Sequence, residues 1–160
     1  KAGIFADPLL EPNYKMAVSC LKHGINLAQA FLKKSPANTV LKDQLANSFG
    51  DLSWYALFTK EPNTAIWAAK NAGVFGKQYD WVNTNLALGY LLSGDFDKAE
   101  QVYRAYKDKF KGNGLGTFKA DFLNDLKSIS DAGIINLKDK KMSAEIIRIK
   151  TILGKSYNRQ

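Results

Sequence analysis

The sequence predicts an all-α fold, an α-α superhelix of antiparallel helix hairpins with about seven helices in one domain over residues 1–160. Three observations carry that expectation. Between glycine and proline breaks, apolar residues recur at spacings of three and four, the helical period. No stretch shows the sustained alternation of a half-buried strand. Residues 52–65 and 86–99 set small residues against small and large apolar residues against large at a constant offset of 34.

The first helix is expected from Asn13 to Lys34, within an N-terminal segment 13–37, with Met16, Cys20, Ile25, Leu27, Ala28, Phe31 and Leu32 as its apolar side. Ser35 ends it, because Pro36 disfavours the helical conformation in the residue before it. Asn38 caps a second helix that runs through Leu45, Phe49, Leu52, Trp54 and Leu57 to Thr59. Pro62 suits the first position of a third, where a missing N–H costs nothing; Ile66, Ala69 and Ala72 line it, and Gly73 and Gly76 loosen its end. The fourth spans Tyr79 to Leu92 and stops at Gly94, a residue that reaches the left-handed conformation without strain. Asp95 caps the fifth, Phe96 to Phe110, with its charge at the positive end of the helix dipole. After a glycine-rich connection, Thr117 caps a sixth helix in segment 117–133, holding Phe118, Phe122, Leu126 and Ile129 and stopped by Gly133. The seventh, over residues 143–155, presents Ile146, Ile149 and Ile152 on one side and Arg148, Lys155 and Arg159 on another.

Composition fits one domain with a real core: 46% of residues are hydrophobic, and 3 Trp, 7 Tyr and 9 Phe exceed what a disordered chain carries. The net charge is +8, and residues 138–160 hold seven basic side chains against two acidic ones. The lone Cys20 rules out an internal disulfide and a cysteine zinc cluster. No apolar run approaches the roughly 20 residues of a membrane-spanning helix. A chain that opens on Lys1 rather than Met is expected to be a trimmed exported form or a piece of a longer protein.

The offset of 34 pairs Leu52 with Leu86, Ser53 with Ala87, Leu57 with Leu91, Thr59 with Ser93, and Ala65 with Ala99. Two antiparallel helices approach closely only where small side chains occupy the crossing, so Ala65 and Ala99 are the expected crossing residues. The set Leu86, Ala87, Tyr90, Gly94, Phe96, Ala99 and Tyr103 resembles the tetratricopeptide repeat, whose period is also 34. The match is strong over residues 80–113, although Tyr106 stands where that family prefers a small residue and Lys111 replaces its terminal proline. Residues 46–79 form a degenerate unit, with Lys60 for the glycine, Pro62 for the turn aromatic and Ala69 for the second aromatic. Residues 1–37 are out of phase, and 117–133 is expected to be a capping helix.

That resemblance implies a noncatalytic scaffold, without cofactor or metal, that binds a protein or peptide partner in a concave groove lined by the first helix of each unit. It places Asn47, Gly50, Asp51, Trp54 and Leu57 there from one unit and Trp81, Thr84, Asn85 and Leu88 from the next, whereas Trp67, on a second helix, is packing. Some members hold a chaperone's terminal carboxylate with a Lys, Asn and Arg clamp; Asn85 matches one position, but Gly50 and Trp54 replace the first Lys and Asn, so the clamp is absent.

Other chemistry is thin. Cys20 and His23 share a helical face, but with no orienting carboxylate or oxyanion donor nearby they read as a partly buried thiol and a surface imidazole. The stretch GNGLG, residues 112–116, follows a helix rather than a strand and reads as a loop, not a phosphate cradle. A second function class, nucleic-acid or anionic-surface binding, is offered by Lys138, Lys140, Lys141, Arg148, Lys150, Lys155 and Arg159. Tyr157 is the sole aromatic of that segment, so a base-stacking platform is missing. A third reading is an accessory domain of a larger enzyme.

Overall fold

The computed structural model of the chain describes residues 13–111 and 116–154. They form seven α-helices: α1 Tyr14–Lys34, α2 Thr39–Phe58, α3 Pro62–Gly73, α4 Asn83–Ser93, α5 Phe96–Tyr106, α6 Lys119–Asp131 and α7 Lys140–Gly154. A 3-10 turn, Lys77–Val82, leads into α4. Among the described residues there is no β-strand, only a single antiparallel bridge between Phe110 and Thr117.

Caps explain where the first two helices begin, at Asn13, which the sequence placed inside the first helix, and at the predicted cap Asn38. Asn13 accepts a hydrogen bond from the Met16 N–H at 3.0 Å, and Asn38 accepts one from the Leu41 N–H at 2.9 Å, each satisfying a donor that the helix leaves free. Pro62 opens α3. Gly94 takes φ 81°, ends α4 and lets α5 start two residues later.

Short connections fold α2 against α3 and α4 against α5, while α3 packs on α4 and carries the chain from one hairpin to the next. Alternate helices also touch: α2 meets α4, α4 meets α6, and α5 meets α7. This is the contact pattern of an all-α helical stack, with α2, α4 and α6 forming one layer. Three of the five pairs set by the offset of 34 share full burial, Ala65 with Ala99, Leu57 with Leu91 and Ser53 with Ala87, while Leu52 is buried against a half-buried Leu86, and Thr59 is half-buried against an exposed Ser93. Two cores result. Val18, Ile25, Leu45, Phe49, Leu52 and three alanines of α3, Ala68, Ala69 and Ala72, close the first; Leu57, Ala65, Leu91, Ala99, Tyr103, Phe122, Leu126, Ile129, Ile149 and Leu153 close the second.

Several local expectations are corrected. The fourth helix begins at Asn83, not Tyr79, because Tyr79 takes a non-helical conformation and its hydroxyl donates to Asp43 of α2 at 2.7 Å. The fifth stops at Tyr106, because the chain turns back: Lys111 N–H bonds to Gly116 at 2.8 Å and Phe118 N–H to Lys109 at 3.2 Å. Asp95 does stand at the N-cap of α5, with its carboxylate paired to Lys98 at 2.5 Å, whereas Thr117 does not cap the sixth helix: Phe118 holds that position and Thr117 sits in the isolated bridge. The seventh helix starts at Lys140, where Asp139 accepts from the Lys141 N–H at 2.8 Å. On α1 only Val18 and Ile25 are buried; Met16, Leu27 and Phe31 are exposed because the neighbours pack against the Val18 and Ile25 side. Cys20 is exposed too, not partly buried.

Candidate functional site: the groove of α2, α4 and α6

Helices α2, α4 and α6 border an open hollow of about 390 Å³. Gly50, Asp51 and Trp54 of α2 form one wall, Trp81 of the 3-10 turn with Thr84 and Asn85 of α4 form the floor, and Asp121, Asn124 and Asp125 of α6 form the other wall.

The fold sets each side chain in place. The bond from Tyr79 to Asp43 anchors the 3-10 turn on α2, two residues ahead of Trp81. The Trp81 ring lies on Gly50: a Cβ at that position would stand 2.7 Å from Cζ2 of the indole and closer still to Cη2, so only glycine admits the ring. Trp54 stands edge-on to Phe58, with ring centroids 5.0 Å apart, and is half-buried; Trp81 is 37% exposed.

Asn85 is a strut between layers. Its amide nitrogen donates to the Ser53 hydroxyl at 2.7 Å and to the Gly50 carbonyl at 3.3 Å, tying α4 to α2 beneath the cavity. A buried amide must be satisfied, so these bonds fix the register of the two helices where the cavity opens.

The electrostatics of the groove oppose those of the whole chain. Three carboxylates face it although the net charge is +8. Asp121 is paired with Lys111 at 2.9 Å. Asp51 and Asp125 have no lysine or arginine partner among the described residues, and burial pushes both carboxyls above the ordinary aspartate range. For Asp125, a hydrogen bond with the Thr84 hydroxyl works against that rise and the neighbouring Asp121 charge adds to it. No group of three or more His, Cys, Asp or Glu side chains that could hold a metal ion occurs among the described residues.

Of the residues assigned to the groove from sequence, Asp51, Trp54, Trp81, Thr84 and Asn85 meet at the cavity with Gly50. Leu88 and Leu57 do not: they are 1% and 0% exposed and belong to the core, because the α4 and α2 faces that carry them turn inward. Asn47 is exposed on α2 outside the cavity lining. Asp121, Asn124 and Asp125 were missed. Their helix falls outside the clear repeat, and the only available signal was the polar i, i+3, i+4 spacing of the three residues themselves.

The other sequence candidates lie elsewhere. Cys20 and His23 are exposed on α1. Trp67 is 47% exposed rather than packed away, with its ring edge-on to Phe49, and it borders a second cavity of about 430 Å³ whose Lys22 is taken up by Glu61 at 2.9 Å. Lys138, Lys140 and Lys150 are exposed, and Lys141 lies 5.4 Å from the Phe96 ring. Arg148 is spent on Glu100 and on Glu145, the latter at 4.0 Å. Lys155 and Arg159, like most of GNGLG, lie outside the described residues. No described helix is long and apolar enough to cross a bilayer.

Compared with protein-family models, with curated proteins and with solved structures, the chain matches none of them.

Proposed function

We propose that the chain is a noncatalytic interaction module that receives a polypeptide segment of a partner protein in the groove of α2, α4 and α6. The observation that carries this reading is the open hollow of about 390 Å³ set among α2, α4 and α6 and lined by two indoles, one from α2 and one from the 3-10 turn before α4. Its volume falls in the range of about 300–1,000 Å³ typical of ligand pockets, room for one or two side chains of a docked peptide. Tryptophan supplies large contact area at low entropic cost and is favoured in binding hot spots. The tetratricopeptide-like register, with a stack whose first helices face one hollow, supports the same reading.

Selection of a displayed random-peptide library against the full chain tests it. The expected result is a set of peptides that bind the wild-type chain and lose affinity by at least about tenfold with Trp81→Ala, the loss of one hot-spot indole. If the enriched peptides bind Trp54→Ala and Trp81→Ala as tightly as wild type, the groove is not the binding surface. Near-ultraviolet circular dichroism of each variant checks that the stack is intact.

A further inference from the structure

The groove carries a specific chemical demand. Cationic side chains outnumber anionic ones by 23 to 15 in this chain, so a carboxylate on its surface has abundant potential partners. Asp121 has taken one, Lys111. Among the described residues, the exposed Asp51 on one wall and the half-buried Asp125 on the other have none, and partial desolvation of each carboxyl disfavours its charged form. A partly buried carboxylate without a counter-charge is unfavourable for the folded chain. Two indoles line the hollow, and the faces of indole rings carry negative electrostatic potential that favours a cation beside them.

We propose that the occupant of this groove is a basic segment of the partner, whose lysine or arginine side chain enters between Trp54 and Trp81 and is neutralised by Asp51 and Asp125. This rests on the groove being the docking surface and adds the chemistry of what docks. The ammonium or guanidinium meets aromatic faces and carboxylates together, the combination that holds organic cations. Asn124 and the Thr84 hydroxyl complete the polar rim. The excess positive charge of the chain lies beyond the groove and is screened over about 8 Å at physiological ionic strength, whereas contacts inside the hollow are not.

The experiment uses the peptides recovered from the display selection, synthesised with a fluorescent label and titrated against the full chain. In each peptide every lysine or arginine is replaced in turn by norleucine, which keeps the length and apolar stem and removes the charge. The chain is compared with Asp51→Asn, Asp125→Asn and the double variant, which change charge and almost nothing in size. The expected result is one basic position per peptide whose replacement costs about tenfold or more in affinity. The same loss appears in Asp51→Asn plus Asp125→Asn, with little further loss when both changes are combined. Asp51 is exposed, so Asp51→Asn is expected to fold, and near-ultraviolet circular dichroism checks each variant.

Peptides that depend on Trp81 but are neutral or acidic, or that ignore both asparagine substitutions, overturn the cationic assignment while leaving the groove as the docking surface. Peptides that ignore Trp54 and Trp81 as well overturn both.

Discussion

Position 50 shows how one missing side chain shapes the groove. The Trp81 ring occupies the space a Cβ would need, so Gly50→Ala must displace the indole or part α2 from the turn that carries it. Overpacking of that kind costs about 1–3 kcal/mol. Urea unfolding should show a loss of that size together with a shift in Trp81 emission; unchanged stability would mean that the ring does not rest on Gly50. Asp125 illustrates the opposite relation, a residue that burdens the fold. Burial raises its carboxyl pKa, so its folded-state value lies above the unfolded one, and wild type gives up stability as pH rises through that folded-state value. The groups facing it are the Thr84 hydroxyl from α4, Asp121 on its own helix and the buried phenol of Tyr103 from α5; none supplies positive charge. Asp125→Asn is therefore expected to melt higher than wild type at neutral pH, with the gap closing as the solution is acidified and the wild-type carboxyl takes up its proton. A variant that melts lower at pH 7 would contradict the unpaired, desolvated carboxylate on which the cationic groove depends.

The hairpin of α4 and α5 is the element whose packing is most tightly specified. Ala99 is fully buried at the crossing, beside Leu91 and Tyr103 in the second core, so Ala99→Leu forces two helices apart for a cost of about 1–3 kcal/mol. Thermal melts of this variant against Ala105→Leu, an exposed position on α5, separate crossing geometry from helix propensity. Equal melting temperatures would show that the crossing tolerates a large residue. In α1 the relation between element and fold is looser. Its apolar residues are spread around the helix, and Met16, Leu27 and Phe31 at 61%, 50% and 62% exposure add nothing to the core. Hydrogen exchange should follow: amides of α1 exchange well before those of α4, because opening α1 exposes two buried side chains and opening α4 breaches both cores. Protection in α1 equal to that in α4 would refute this ordering.

Across the whole molecule, charge and shape are distributed differently from what the totals suggest: a basic chain keeps an acidic, aromatic hollow on the face shared by three helices. Sequence determined the helices, because caps, proline and glycine act on the backbone within a turn of themselves: Asn13, Asn38, Pro62 and Gly94 stand where helices start or stop. It also placed Ala65 and Ala99, one unit apart, at fully buried positions where a small side chain fits. It was silent on the 3-10 turn before α4, which follows from the distant bond of Tyr79 to Asp43, and on which side of α1 is covered. Six of the nine groove assignments meet at the cavity, while Leu57 and Leu88 turned inward because the helix faces that bear them pack against the second core. The third wall was decided by tertiary structure alone. Whether Asp121, Asn124 and Asp125 face solvent or a hollow depends on where α6 comes to rest against α4, and that is a sum of contacts between residues far apart in the chain, which no local spacing encodes.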